Sequence, residues 1–254
     1  MEIRSACQPA PDRSGVNEDL VLSGPDFVVV LDGATAGAGI ESGCMHNVAW
    51  LVAKLGGHLV LPLLGRSEAS LADLLADAIA AVGADHADTC DLTNPDSPSS
   101  TVSMVRVTTK HVEHLVLADS PIVLRAPDQR VTVIADDRID LLPEYTFAAV
   151  RRLRNQPGGF WVASTAPKAA YEAVTGTTER GEVELVAVLT DGASRYSERY
   201  GHSWEELVEV LDTSGPQALI DRVRQYDADA ADGTFRGKRH DDATAVICRL
   251  ALPG

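Results

Sequence analysis

Four short acidic segments carry the residues of this 254-residue chain best suited to chemistry. Two apolar runs, "FVVVLDG" and "LVAVLTDG", end in Asp-Gly and bring Asp32 and Asp191 to the ends of strands. "VNEDL" puts Glu18 and Asp19 just ahead of another strand, and "HDDATAVICRL" places Asp241 and Asp242 before the last one. Ends of neighbouring antiparallel strands share an edge, so these carboxylates can face one another, and left bare they would raise one another's pKa. A divalent cation removes that cost. Hard ions such as Mg²⁺ and Mn²⁺ take oxygen ligands and bind a few carboxylates while keeping several waters. The glycine after Asp32 lets the backbone come close to such an ion and offer its carbonyl. One Asp-Gly after a strand is most often a turn. Two of them, together with Asn-Glu-Asp and Asp-Asp-x-Thr at other strand edges, favour the metal reading.

A scaffold of strands and helices must position these groups. Residues 19–32 read as a hairpin across Gly24-Pro25-Asp26. Apolar residues at helical spacing predict helices over 41–64, with Gly56-Gly57 a weak point, and over 67–87, with Ser67 or Ser70 as N-cap. Residues 89–100 are a loop by composition, and four β-branched runs from "STVSMVRVTT" to "RVTVIADD" predict an antiparallel meander. Further helices are expected over 143–155, in "APKAAYEAVTG", over 203–211 and over 216–229, with strands in "EVELVAVLTDG" and "DDATAVICRLAL". Strands and helices come in blocks. That order predicts an α+β fold with antiparallel sheets, built as a single domain over 1–254.

Composition narrows the function classes. With 45% apolar and 23% charged residues the chain is of ordinary globular type, and a net charge of −15 argues against nucleic-acid binding. Neither a signal peptide nor an apolar run of membrane-spanning length is expected. Cys7, Cys44, Cys90 and Cys248 lie far apart, without Cys-x-x-Cys spacing or histidines at zinc-finger distance. They read as isolated thiols packed in a reducing compartment, the cytoplasm.

In order along the chain, "VNEDL", "VVVLDG", "SSTVSMVRV", "VLADSPIVLR", "VLTDG" and "HDDATAVICRL" resemble the signature segments of the metal-dependent protein phosphatases of type 2C (PPM), from Asn17 to Leu250. The resemblance implies a four-layer α-β-β-α sandwich of two antiparallel sheets flanked by helices. It implies a hydrolase acting on phosphoserine and phosphothreonine in proteins, with two Mn²⁺ or Mg²⁺ ions at one end of the sandwich. Asp32 would then bridge both ions, the Gly33 carbonyl would bind one, and Asp191 and Asp241 the other. Glu18, or less directly Asp19, would hold metal-bound water, and Asp119 of "ADSP" would help hold a weaker third ion. Two ions sharing a water lower its pKa and clamp the phosphoryl oxygens for in-line attack, so no side-chain nucleophile is required. The implied partner is a phosphorylated protein; neither nucleic acid nor membrane is expected as a partner, and a monomer is favoured.

Departures from the family pattern bear on activity. "DGATAGAG" puts Ala34, which cannot donate a proton, after the first Asp-Gly, leaving that task to metal-bound water or to another group, for which His46 and His240 are weak candidates. The phosphate-binding arginine expected four residues before Glu18 is Ser14, and Arg13 lies one residue out of register. Pro121 replaces the arginine of Gly-Asp-Ser-Arg, and Arg195 stands where a carboxylate for the third ion is common; Arg195 is also a candidate phosphate ligand. Residues 138–165 look shorter than the flap that many bacterial members insert. A phosphatase for small metabolites and a catalytically silent, partner-binding member remain as alternatives on the same fold.

Overall fold

The computed structural model describes residues 1–11, 16–34, 39–144, 146–231, 234–235 and 238–251. One five-stranded antiparallel sheet pairs β1 (Glu2–Gln8) with β10 (Ala243–Arg249), then β9 (Leu185–Leu189), β6 (Ile122–Arg125) and β7 (Val131–Ile134). The other runs β2 (Asp19–Ser23), β3 (Phe27–Ala34), β4 (Ser99–Val107), β5 (His111–Leu117) and β8 (Val174–Glu179). Helices α1 (Val48–Leu64) and α2 (Leu71–His86) cover the second sheet, and α4 (Asp191–Glu198), α5 (Trp204–Thr213) and α6 (Pro216–Asp229) cover the first. A short helix, α3 (Phe147–Leu153), packs on a satellite cluster of Leu142, Phe160 and Val162.

The continuous apolar runs follow from burial on both faces. In β3, Val28 and Val30 point between the sheets while Val29 and Leu31 pack under the helices. In β9, Val186 and Val188 face inward and Leu185, Ala187 and Leu189 face α4 to α6. A strand covered on one face only would alternate apolar with polar. The sandwich with helices on both outer faces is the expected α+β architecture.

Local chemistry sets several boundaries away from the expected ones. Helix α1 starts at Val48, where the Asn47 side chain accepts from the Trp50 N–H, and not near residue 41. Ser70, not Ser67, caps α2 through the Asp73 N–H. The four-strand meander is divided: β4 and β5 pair in one sheet, β6 and β7 in the other. The chain crosses at Ala118, whose backbone has φ of +67° and whose N–H is held by the Asp136 carboxylate at 3.0 Å. "APKAAYEAVTG" is a 3-10 turn at Pro167–Glu172 followed by β8, because the β-branched Val174, Thr175, Thr177 and Thr178 favour a strand. Gly176 in β8 lies under His114, where a Cβ would sit 2.5 Å from the ring Nε2. Strand β1, at the sheet edge, has no counterpart among the expected elements. The second Asp-Gly opens α4 and is not a turn.

The reading of four isolated thiols holds for Cys248, buried between the sheets, but fails for Cys44 and Cys90. The paired helices α1 and α2 bring their sulfurs together with His46 and His86. Among the described residues no helix is long and apolar enough to cross a membrane.

Candidate active site

The space between the sheets is lined with valine in its middle, by Val28, Val30, Val105, Val186, Val188 and Val246. Strand alternation carried to one rim replaces valine by Thr101, Thr244 and Asp32 on the same parity, with Thr190 just beyond the end of β9. Asp19 stands directly opposite Asp32 across the β2–β3 ladder. Its Oδ2 accepts hydrogen bonds from Thr190 Oγ1 at 3.0 Å and Thr244 Oγ1 at 2.7 Å. Its other oxygen, Oδ1, is buried and has no hydrogen-bond partner among the described residues.

Other elements deliver more carboxylates to this rim. Asp119 sits at the crossover after β5, Asp191 is the first residue of α4, and Asp241 precedes β10. Burial pushes the Asp32 carboxyl well above its ordinary range, and Asp19, Asp191, Asp119 and Asp241 push it further. Burial likewise raises Asp19 to about 7, helped by Asp242 and Asp191 against the two threonine hydrogen bonds. Asp119 is raised to about 7 by burial and then by Asp191, with Asp140 and Glu198 adding to it. Asp191 is raised by burial and by Asp241, while Arg195, Arg199 and Lys238 oppose the shift. The charges of Asp19, Asp119, Asp191 and Asp241 all act on Asp32, and these five carboxylates lie at one rim.

The glycine after each aspartate has a packing cause. A Cβ on Gly33 would strike Val48 Cγ1 and lie 2.6 Å from the Glu18 carbonyl, to which the Gly33 N–H donates at 3.1 Å. A Cβ on Gly192 would strike the Asp242 carbonyl oxygen, so only glycine lets α4 begin against the turn before β10. Asp242 itself is a strut. Its carboxylate accepts from the backbone N–H of Ala10 at 2.7 Å and of Glu18 at 2.8 Å, and so places Glu18-Asp19 beside Asp241.

Arg195 is 1% exposed and committed to acids. Its Nη2 lies 3.2 Å from Asp241 Oδ2 and 3.8 Å from Asp191 Oδ2; its Nη1 lies 3.8 Å from Asp227 Oδ2 and donates to the Arg239 carbonyl at 3.1 Å. These contacts occupy the guanidinium from inside and do not favour the candidate role in phosphate binding. Acids are present near Asp119 in spite of Arg195. Glu198 lies two helical turns after Asp191 on the same face of α4, accepts from Ser194 Oγ at 2.7 Å, and with Asp140 acts on Asp119. The seven-residue spacing from Asp191 is the signal that could have identified Glu198. Arg13 and Ser14 lie outside the described residues. His46 faces Cys90 and stacks on Trp50, and His240 Nδ1 lies 3.4 Å from Asp227 Oδ2.

The raised carboxyls make stability depend on pH. A carboxyl whose pKa is higher folded than unfolded contributes stability that is complete below its unfolded pKa and is lost as pH rises through its folded one. For Asp19 and Asp119 that window runs from about 4 to about 7. Chelator-treated protein is expected to have a higher thermal midpoint at pH 5 than at pH 8, and Mn²⁺ to reduce the difference. Thermal unfolding across that range checks this, and a midpoint that is flat or rises towards pH 8 would count against the crowded rim.

The model of the family described as protein phosphatase 2C matches residues 11–224. No curated protein sequence matches significantly. Among solved structures, the catalytic domain of the serine/threonine protein phosphatase PstP in complex with two manganese ions is 17% identical, with a TM-score of 0.57 over 97% of this chain and 96% of that one. The serine/threonine phosphatase PstP/Ppp of Mycobacterium tuberculosis is 18% identical, with a TM-score of 0.59 over 98% of each chain. Serine/threonine phosphatase Stp1 of Staphylococcus aureus is 14% identical, with a TM-score of 0.61 over 99% of this chain and 95% of that one. At these identities the likeness is one of fold: two antiparallel sheets between helical layers.

Proposed function

We propose that this chain, a member of the protein phosphatase 2C family, hydrolyses phosphoserine and phosphothreonine in proteins with two Mn²⁺ or Mg²⁺ ions held at the acidic rim. The observation that carries this reading is the gathering of Asp19, Asp32, Asp119, Asp191 and Asp241, with Arg195 and Lys238 as the cations paired with them among the described residues. The donor set fits hard divalent ions. It is all oxygen, Asp19 Oδ1 is buried without a hydrogen-bond partner among the described residues, and Gly33 keeps the backbone bare beside Asp32. The structure of the PstP catalytic domain contains two manganese ions.

When bound, the ions supply positive charge for the phosphoryl oxygens and activate water for in-line attack. Asp32, the Gly33 carbonyl, Asp191 and Asp241 would hold these ions, with Asp32 as the central ligand. Thr190 and Thr244 hold one oxygen of Asp19 and leave Oδ1 to orient water, and Asp242 fixes the backbone of Glu18 for the same task. Asp119, with Asp140 and Glu198, would hold a weaker third ion. Arg13 is the proposed contact for the substrate phosphate. We place this activity in the cytoplasm, on a single monomeric domain.

Phosphate release from phosphoserine and phosphothreonine peptides tests the proposal. Turnover should rise with added Mn²⁺, vanish with chelator, and exceed that on sugar phosphates assayed in parallel. Turnover unaffected by chelator would contradict the metal, and a preference for sugar phosphates would contradict the substrate class. One observation favours a second reading, a partner-binding member with little turnover: Arg195 already neutralises Asp191 and Asp241. Absence of any hydrolysis at saturating Mn²⁺ would favour it.

A further inference from the structure

Four soft ligands meet on the outer side of the sandwich, where the helical layer covers β3 and β4. Cys44 and His46 lie on the segment leading into α1, His86 is the last residue of α2, and Cys90 follows four residues later. One ligand atom from each lies within 4.8 Å of the other three. Cys44 Sγ is 3.5 Å from His86 Nδ1 and 3.7 Å from His46 Nδ1, and Cys90 Sγ is 3.4 Å from His46 Nδ1. A tetrahedral zinc ion with sulfur at about 2.3 Å and nitrogen at about 2.1 Å requires ligand atoms about 3.4–3.8 Å apart. The three separations fall on those edges.

We propose that Cys44, His46, His86 and Cys90 form a structural Zn²⁺ site, separate from the carboxylate rim. Two thiolates neutralise the ion, and four protein ligands leave no open position for substrate, as in structural rather than catalytic zinc sites. Thiolate and imidazole select zinc over the Mn²⁺ or Mg²⁺ suited to the rim. The surrounding chain already holds the ligands in place. His46 stacks on Trp50 with ring centroids 4.0 Å apart, and the Cys90 N–H donates to the His86 carbonyl at 3.1 Å. The Asp91 N–H donates to the Gly43 carbonyl at 2.8 Å, and Asn94 Nδ2 to the Glu41 carbonyl at 3.0 Å. Gly43 takes a φ of +68°, which favours glycine. The site would fasten the chain that leaves Asp32-Gly33 to the end of α2 and to the segment entering β4, the strand that pairs with Asp32.

X-ray absorption at the zinc edge and elemental analysis of the full chain test this. The expected result is one zinc per chain with two sulfur and two nitrogen ligands, and loss of that equivalent in the Cys44→Ser/Cys90→Ser double variant. If the double variant fails to fold, Co²⁺ exchanged into the unaltered chain decides, through thiolate-to-metal charge transfer and tetrahedral ligand-field bands. Zinc surrounded only by oxygen, a Co²⁺ spectrum without thiolate bands, or a Cys44–Cys90 disulfide in protein purified under reducing conditions would each overturn the proposal. None of these readouts depends on phosphatase turnover.

Discussion

Asp32→Asn is expected to lower kcat about 10³-fold at saturating Mn²⁺ and, in the same protein without metal, to raise the thermal midpoint. Both effects come from one carboxylate. Asp32 is central to the rim, with Asp19, Asp191, Asp119 and Asp241 all pushing its pKa upward after burial. Asparagine keeps the shape but cannot supply the anionic metal ligand proposed for Asp32, and several kcal/mol of charge organisation at about 1.4 kcal/mol per tenfold gives the stated loss. Without metal, the same charge is a liability above neutral pH, and its removal relieves its neighbours. Activity and chelated stability measured together separate this account from simple misfolding, which would lower both. A variant retaining more than a tenth of kcat would contradict the central place given to Asp32.

Arg195→Met should have the largest effect on stability. Its guanidinium is buried among Asp191, Asp227 and Asp241, and Asp227 is itself 1% exposed. Breaking a buried pair by removing one partner costs about 3–5 kcal/mol, because the remaining charges stay desolvated. For a chain of this size each kcal/mol moves the midpoint by about 2–4 °C, so chelated protein should lose on the order of 10 °C. Mn²⁺ should restore part of that loss, since an ion held at the proposed site would take over the neutralisation of Asp191 and Asp241. The same removal of a competing cation should lower the Mn²⁺ concentration for half-maximal turnover. Scanning calorimetry with and without Mn²⁺ checks the first effect and a metal titration of activity the second; a midpoint unchanged without metal would refute the role given to Arg195.

Much of the fold was legible because its central strands are buried on both faces, which makes "FVVVLDG" and "LVAVLTDG" continuous apolar runs. The hairpin opposing Asp19 and Asp32 was legible from its turn residues, and α6 has the expected bounds, Pro216–Asp229. Strand β1 was not, since "EIRSACQ" alternates weakly and its place is set by pairing with β10. Strand β8 was misread as helix because its Thr-rich pattern gains its preference only on the edge beside β5. Division of the meander between two sheets depends on the left-handed Ala118, a backbone feature that alanine does not announce. At the site, the motif positions pointed to carboxylates that the fold brings to one rim, but not to the commitment of Arg195 to Asp227 on α6, 32 residues away. The convergence of Cys44, His46, His86 and Cys90 was hidden for a similar reason: one pair is Cys-x-His, the other His-x-x-x-Cys, and only the α1–α2 pairing joins them.

Anomalous scattering from crystals soaked in Mn²⁺, recorded on both sides of the manganese edge, tests the two-ion rim most directly. Two peaks are expected, both against Asp32, one shared with the Gly33 carbonyl and one with Asp191 and Asp241. An absence of manganese beside Asp32 at millimolar concentration, in crystals where the rim is open to solvent, would contradict the account.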